Sequence, residues 1–442
     1  MNKTSKVLAF AAIATGAVAF ATPAAAAVSA ESQFIFNSLL FLIGGFLVMW
    51  MAAGFCMLEA GLVRSKNVAN MCVKNIGLYS IAGIMYFLVG YDLMYTDVSG
   101  YLGTFSMFAP DDSEVITDAG FVGEGGYSAA SDWFFQMVFV ATAASIVSGT
   151  LAERIKLFPF FIFVIILTGI IYPIQGSWQW GGGWLSEAGF SDFAGSTIVH
   201  STGGWAALAG AIFLGARKGK YGPDGKVNAI PGNNLPLATL GTFILWLGWF
   251  GFNGASQLAM GSAVDVAAVS QIFANTNLAA AGGTVAAILT SKLVYKKVDL
   301  TIVLNGALAG LVSITAEPLA PSFGAAVLIG AVGGVLVVFA IPLLDKLKID
   351  DVVGAISVHL VAGIWGTLAV PITNGDTNFG SQILGIVAIG AFVFIVSAIV
   401  WAILKFTIGI RMSEEDEHEG ADYAELGMEA YPEFGRGSQS IM

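Results

Sequence analysis

The chain has 442 residues, of which 56% are hydrophobic and only 11% charged, with a mean hydropathy of +0.79. A soluble protein carries about a quarter charged residues, so this composition excludes a water-soluble globular protein and places most of the chain in lipid. The net charge of −11 is not a general acidic surface, because nine acids lie between Glu414 and Glu433, and no basic patch offers nucleic acid a footing.

In chain order, Lys3 and Lys6 precede an apolar stretch from Val7 to Phe20, and small residues with an Ala-x-Ala pattern follow at Ala24 to Ala27. Residues 1–27 therefore read as a cleaved secretory signal peptide, which leaves the mature N-terminus outside the cytoplasm. Eleven apolar segments follow, each long enough for a membrane helix: 34–62, 75–95, 133–152, 157–175, 193–215, 235–257, 266–291, 300–317, 322–344, 352–373 and 382–409. Pro110, Pro173, Pro223, Pro231, Pro318 and Pro321 punctuate the breaks. The prediction is an all-α polytopic membrane domain over 28–411 and a cytoplasmic tail over 412–442. Cys56 and Cys72 lie in or beside apolar stretches and are expected to be small buried hydrophobes.

Past the signal peptide, the 17 lysines and arginines all lie in or beside the odd-numbered connections or the tail. The connections 96–132, 176–192, 258–265, 318–321 and 374–381 contain none. The positive-inside rule then sets the N-terminus outside and the C-terminus in the cytoplasm, across the inner (cytoplasmic) membrane. Eleven is five plus five plus one, which fits an inverted repeat, and His200 and His359 fall in the last helix of each half. Upright helices would bring these imidazoles within roughly 10 Å in depth, where burial favours the neutral form. Otherwise the helices are expected to hold almost no ion inside the membrane.

The segment from Asp192 to Arg217, DFAGSTIVHSTGGWAALAGAIFLGAR, closely resembles the signature of the ammonium transporter (Amt/Mep/Rh) family. Further similarity lies in GLVRSKNV at 61–68, LAERI at 151–155, WGGG at 180–183, GWFGFN at 248–253, NGALAGLVSITA at 305–316 and DDVVGAISVH at 350–359, and WGGG points to the Amt branch. The resemblance implies an outer ammonium-binding site with Trp180 as cation–π wall, Phe139 and Phe252 as stacked gate phenylalanines, Ser256 as hydrogen-bond acceptor and Phe135 as a third aromatic wall. It implies a buried Asp192 that organises backbone and favours the cation, where the residues alone suggest a helix N-cap. Asp351 matches an aspartate of the second histidine's motif. Gly354 stands where the family often has an acid, so a strict electrostatic symmetry between the halves is not implied.

The same resemblance implies a homotrimer whose tail packs under neighbouring subunits and admits a PII-type regulatory protein, although Leu426 stands where a His-Gly pair often begins. The implied substrate is ammonium or ammonia, with methylammonium as analogue, and the remaining partner is membrane lipid. No cofactor or metal is called for, and no nucleophile elbow, metal cluster or phosphate loop suggests an enzyme. Capture of NH4+, deprotonation and passage of NH3 past His200 and His359 is the implied mechanism, with an NH3 channel and electrogenic NH4+ transport both open. The alternative from another class is an ammonium sensor that signals through a cytoplasmic partner.

Overall fold

A computed structural model of the chain describes residues 28–124 and 126–434. The signal peptide expected over 1–27 lies outside the described residues. The spanning helices are α1 (Ala30–Leu62), α2 (Ser65–Tyr95), α3 (Ala129–Thr150), α4 (Leu157–Ser177), α5 (Ser196–Leu214), α6 (Leu235–Ala255), α7 (Ala263–Tyr295), α8 (Leu300–Thr315), α9 (Phe323–Lys346), α10 (Ile356–Thr373) and α11 (Phe379–Thr407). Two short helices follow in the tail, α12 (Glu414–Glu419) and α13 (Ala421–Leu426). Among the described residues, ten of these helices are long and apolar enough to cross a membrane; α8, with 16 residues, is the exception. At 1.5 Å per residue α8 is shorter than a 30 Å hydrocarbon core. It is buried from Leu304 to Thr315, so neighbouring helices cover all but its first turn.

Local chemistry starts these helices where the sequence offers a cap. Ser29, Asn234, Asp299, Ser322 and Asn378 each accept a backbone N–H of the first turn, and Ser262 with Asp265 forms a capping box on α7. Small residues then set the packing. A Cβ on Gly330 of α9 would lie 2.0 Å from the Ala279 carbonyl oxygen of α7, and one on Gly334 would lie 2.2 Å from that of Gly283. These helices therefore meet backbone to backbone. Pro173, expected to break the chain, lies within α4 just after a π-helical turn over Leu167–Ile171. Such a turn shifts the hydrogen-bond ladder where proline lacks an N–H.

The two ends of the bundle differ in chemistry. Connections after α1, α3, α5 and α9 meet at one end, where Glu153 pairs with Arg64 and Arg217, and Arg217 pairs with Asp350 at 2.8 Å. The alternate connections meet at the opposite end: Trp184 donates its backbone N–H to Gly100, Gln382 binds Ser191, and Asn275 donates to Pro318 and Pro321. A short antiparallel hairpin, β1 (Ile116–Thr117) with β2 (Gly120–Phe121), decorates that end.

Two expectations are corrected. Cys72 is exposed on the outer flank of α2 and Cys56 is intermediate, because both face away from the packed interior. The helices also carry ionisable groups: Glu59 on α1 and Lys74 on α2 are buried. Both find partners on α3, Glu59 with the Ser148 hydroxyl and Lys74 with the Ser148 carbonyl, which composition alone does not reveal.

Candidate functional site

The centre of the molecule is built twice from one local pattern. Asp192-x-x-Gly195-x-x-x-x-His200 opens α5, and Asp351-x-x-Gly354-x-x-x-x-His359 opens α10. Gly195 has φ +106° and Gly354 φ +84°, left-handed backbone that glycine adopts without strain. After each glycine the first turn is π-helical, over Ser196–Ser201 and Ile356–Val361. Helix therefore starts later than the apolar pattern suggests, and each histidine lies within the first turn or so of its helix instead of about seven residues inside it.

Neither aspartate is the N-cap residue itself, yet each does a cap's work from upstream. Asp192 accepts the N–H groups of Gly195, Ser196, Thr197 and Ile198 at 2.8–3.1 Å. Asp351 accepts those of Ile356 and Ser357 and the Thr150 hydroxyl. Burial pushes each carboxyl up to about 6, opposed by these donors. Position 354 carries the turn glycine that 195 carries in the first half, and Asp351 supplies the charge.

His200 Nδ1 and His359 Nδ1 are 3.2 Å apart, with the rings stacked at 21°. Two imidazolium rings would oppose N–H to N–H, so the contact requires at least one neutral ring accepting at Nδ1. His200 Nε2 is buried without a hydrogen-bond partner among the described residues. Trp249 stacks on His200 at 4.9 Å, fixed by donating its indole N–H to the Thr315 hydroxyl.

Phe252 lies against His200 at 5.2 Å, and Phe139 lies 4.0 Å from Phe252. Trp180 meets Phe139 edge to face at 5.9 Å, and Phe135 meets it at 4.8 Å. Beyond the phenylalanines a cavity of about 510 Å³ opens at the end that holds the alternate connections, with Trp180, Phe135, Ser256 and Asp192 on its wall. The Trp180 indole N–H is held by the Asp192 carbonyl at 2.8 Å, which fixes its face. Ser256 donates its hydroxyl to the Phe252 carbonyl, leaving oxygen lone pairs free to accept. All eight residues expected at the site, Trp180, Phe139, Ser256, Phe135, Asp192, His200, His359 and Phe252, fall on this one column.

Two residues escaped the sequence. Asp132 lines the larger cavity beside Trp180, buried, and accepts from the Tyr91 hydroxyl at 2.5 Å and from Gln136. The apolar count places it at the end of an acidic loop, whereas the spacing Asp132, Phe135, Gln136 and Phe139 puts it on the same helix face. Glu59 lines a smaller cavity on the far side of His359.

Fold and site together define a multi-pass α-helical membrane protein with a buried histidine pair stacked against aromatic rings at its centre. Residues 39–431 match the Ammonium Transporter Family, and the chain belongs to that family. It is 43% identical over 425 residues to Ammonium transporter Amt2 of Archaeoglobus fulgidus, covering 89% of this chain and 87% of the relative. A putative ammonium transporter of Synechocystis is 39% identical, covering 90% of each chain. Among solved structures, a sensor Amt protein superposes with a TM-score of 0.83 at 37% identity, covering 90% of this chain and 99% of the other. Candida albicans Mep2 superposes with a TM-score of 0.75 at 27% identity, covering 87% and 88%.

Proposed function

We propose that the protein carries ammonium into the cytoplasm by recruiting NH4+ at the outer cavity, removing a proton there and passing NH3 and the proton separately through the histidine pair. The observation that carries this reading is the direct Nδ1 to Nδ1 contact of His200 and His359 at 3.2 Å beneath the Phe139–Phe252 pair. A bare ammonium ion entering a medium of dielectric about 4 faces an idealised cost on the order of 20 kcal/mol. Each cation–π contact returns about 2 kcal/mol. Trp180, Phe139 and Phe135 therefore suffice to hold the cation at the wet mouth, and Ser256 accepts one of its N–H bonds. Asp192 and Asp132 add negative charge on the same wall. Beyond the gate only the neutral molecule is affordable, and the hydrogen-bonded imidazoles offer the proton a route that the ammonia does not use. Net transport is then electrogenic.

The basic connections and the tail face the cytoplasm in this reading, and each subunit of a homotrimer in the inner membrane has its own passage. Domain limits are 1–27 for the signal peptide, 28–411 for the membrane domain and 412–442 for the tail. A PII-type protein would engage the inner face, where the tail is docked. The likeness to a sensor Amt protein favours one second reading, in which occupancy of the same cavity is signalled through that tail.

Proteoliposomes on a solid-supported membrane decide between these readings. An ammonium pulse is expected to give a sustained inward current. Flux without charge would leave an NH3 channel, and absence of flux would leave the sensor. His200→Ala with His359→Ala is expected to abolish the ammonium current or admit K+. A double variant with unchanged ammonium and methylammonium currents and unchanged selectivity would remove the pair from the mechanism.

A further inference from the structure

The duplicated pattern extends beyond the two histidines. On α6 the run Gly251-Phe252-Asn253-Gly254-Ala255-Ser256 brings Phe252 against His200 and ends at the outer cavity in Ser256. On α1 the run Gly54-Phe55-Cys56-Met57-Leu58-Glu59 brings Phe55 within 6.0 Å of His359 and ends at a cavity on the opposite side in Glu59. The helices cross as an antiparallel pair: a Cβ on Gly251 would touch Gly44, and one on Gly54 would touch Leu245. Glu59 therefore occupies, at the inner end of the passage, the place that Ser256 occupies at the outer end.

The carboxylate is built to use that place. Asn75 and Ser148 each donate to Oε2 at 2.8 Å, which fixes the rotamer. Oε1 is buried with no partner among the described residues. It lies over Gly149, where an added Cβ would come within 3.3 Å of it. Unpaired carboxylate oxygens in such places are costly, because a buried acceptor without a donor forfeits its hydration. Glu59, His359, Phe55, Ser145 and Asn305 line the same narrow cavity of about 10 Å³, the room one water-sized molecule needs. Lys74 makes no hydrogen bond to the carboxylate and instead binds the Ser148 carbonyl at 2.9 Å.

We infer that Glu59 is the inner ammonium-binding residue, a carboxylate whose free Oε1 accepts an N–H of the cation re-formed beyond His359. The inference rests on the transport reading above. In the step it serves, ammonia leaving the pair takes the relayed proton: an imidazole N–H bond breaks, an ammonium N–H bond forms, and the imidazole returns to neutral. The cation so formed is held by Glu59 before it enters the cytoplasm. Ser256, a neutral acceptor beside aromatic faces, suits capture from a wet mouth. A charged acceptor suits a tighter, drier one, where the cation has few other partners.

Sidedness gives the test. In proteoliposomes of defined orientation, ammonium is applied to either face and the half-saturating concentration is read from the current. Glu59→Gln keeps the shape and the Asn75 contact but removes the charge. It is expected to raise the inner-face value roughly tenfold, the loss of one charge-assisted hydrogen bond, and to move the outer-face value less than about twofold. Ser256→Ala is expected to do the reverse. If the glutamine variant does not reach the membrane, Glu59→Asp reads the same asymmetry, with a smaller inner-face increase. Equal shifts on both faces would mark Glu59 as a structural partner of Lys74 and overturn the inference, as would no shift at all. A wild-type protein that carries no ammonium would overturn the transport reading together with this one, whereas wild-type current beside an unmoved Glu59→Gln variant overturns this one alone.

Discussion

Four backbone N–H groups converge on Asp192, and this bonding makes one carboxylate the scaffold of the half-site around His200. It fixes the turn at Gly195 and hence the register that points His200 into the passage; its own carbonyl holds Trp180. Asp192→Asn would present an NH2 donor to N–H groups that need acceptors. With charge-assisted bonds near 1.5–3 kcal/mol each, the substitution is expected to destabilise the protein by about 3 kcal/mol, read as a lowered Tm in detergent, and to abolish ammonium current. A variant with wild-type Tm would mean that water replaces the carboxylate. The histidines were legible in the sequence because the chain has only three, whereas Trp180, Phe139 and Phe252, drawn from ten tryptophans and 32 phenylalanines, were singled out by the family resemblance alone. Asp132 and Glu59 were not, because each acquires its meaning from other helices, Tyr91 of α2 in one case and Ser148 of α3 in the other.

At the scale of the element, lipid offers little drive for helix association, and backbone approach at small residues takes its place. The trio α7, α8 and α9 shows this most directly: Gly330 faces the Ala279 carbonyl and Gly283 that of Gly306. Gly330→Val puts a branched side chain where the next backbone lies 2.0 Å from the first added carbon. Overpacking of this kind costs about 1–3 kcal/mol, and more where backbone cannot yield. The variant is expected to lose at least that much, seen as a lower Tm and poorer recovery of folded protein after extraction, while Gly330→Ala loses less. Equal stability for valine would show that α9 slides freely on α7. Helix existence and order were legible from hydropathy, whereas the starts of α5 and α10 were not. Hydropathy reads through the segments after Asp192 and Asp351, and only the left-handed glycines, Gly195 and Gly354, reveal that helix begins beyond them.

Across the whole molecule, the end that carries the basic connections is tied by charge as well as by a small apolar cluster of Ala60, Val63, Val68, Met71 and Ala152. Arg217 and Arg154 bring the connections after α5 and α3 onto Asp350, and Arg411 joins the tail through Glu417. The tail is not the solvated strand its acids suggest. Asp422 accepts the N–H groups of Ala69 and Asn70 and Glu425 that of Leu157, so two tail acids cap the starts of α2 and α4. Burial raises the Asp350 carboxyl, but hydrogen bonding from Arg217 and the charges of Arg154 and Arg217 win, holding it well below the usual carboxylate range. Glu153 is lowered in the same way: burial raises it, and Arg217 and Arg64 outweigh that. A carboxyl depressed on folding stabilises the native state above its unfolded pKa, about 3.9 for Asp, and that contribution is lost as pH falls through the folded value. The share of wild-type stability that Asp350 and Glu153 supply is therefore expected to be kept above pH 5 and lost as the medium is taken below about 4. Asp350→Asn leaves buried arginines without their charge partner and is expected to cost about 3 kcal/mol at pH 7. Because the variant lacks the group that titrates, its Tm should fall less steeply in acid, and the gap between the two proteins should narrow towards pH 3. Parallel Tm curves across that range would show that Arg217 and Arg154 find other partners and that Asp350 does not hold the inner end together.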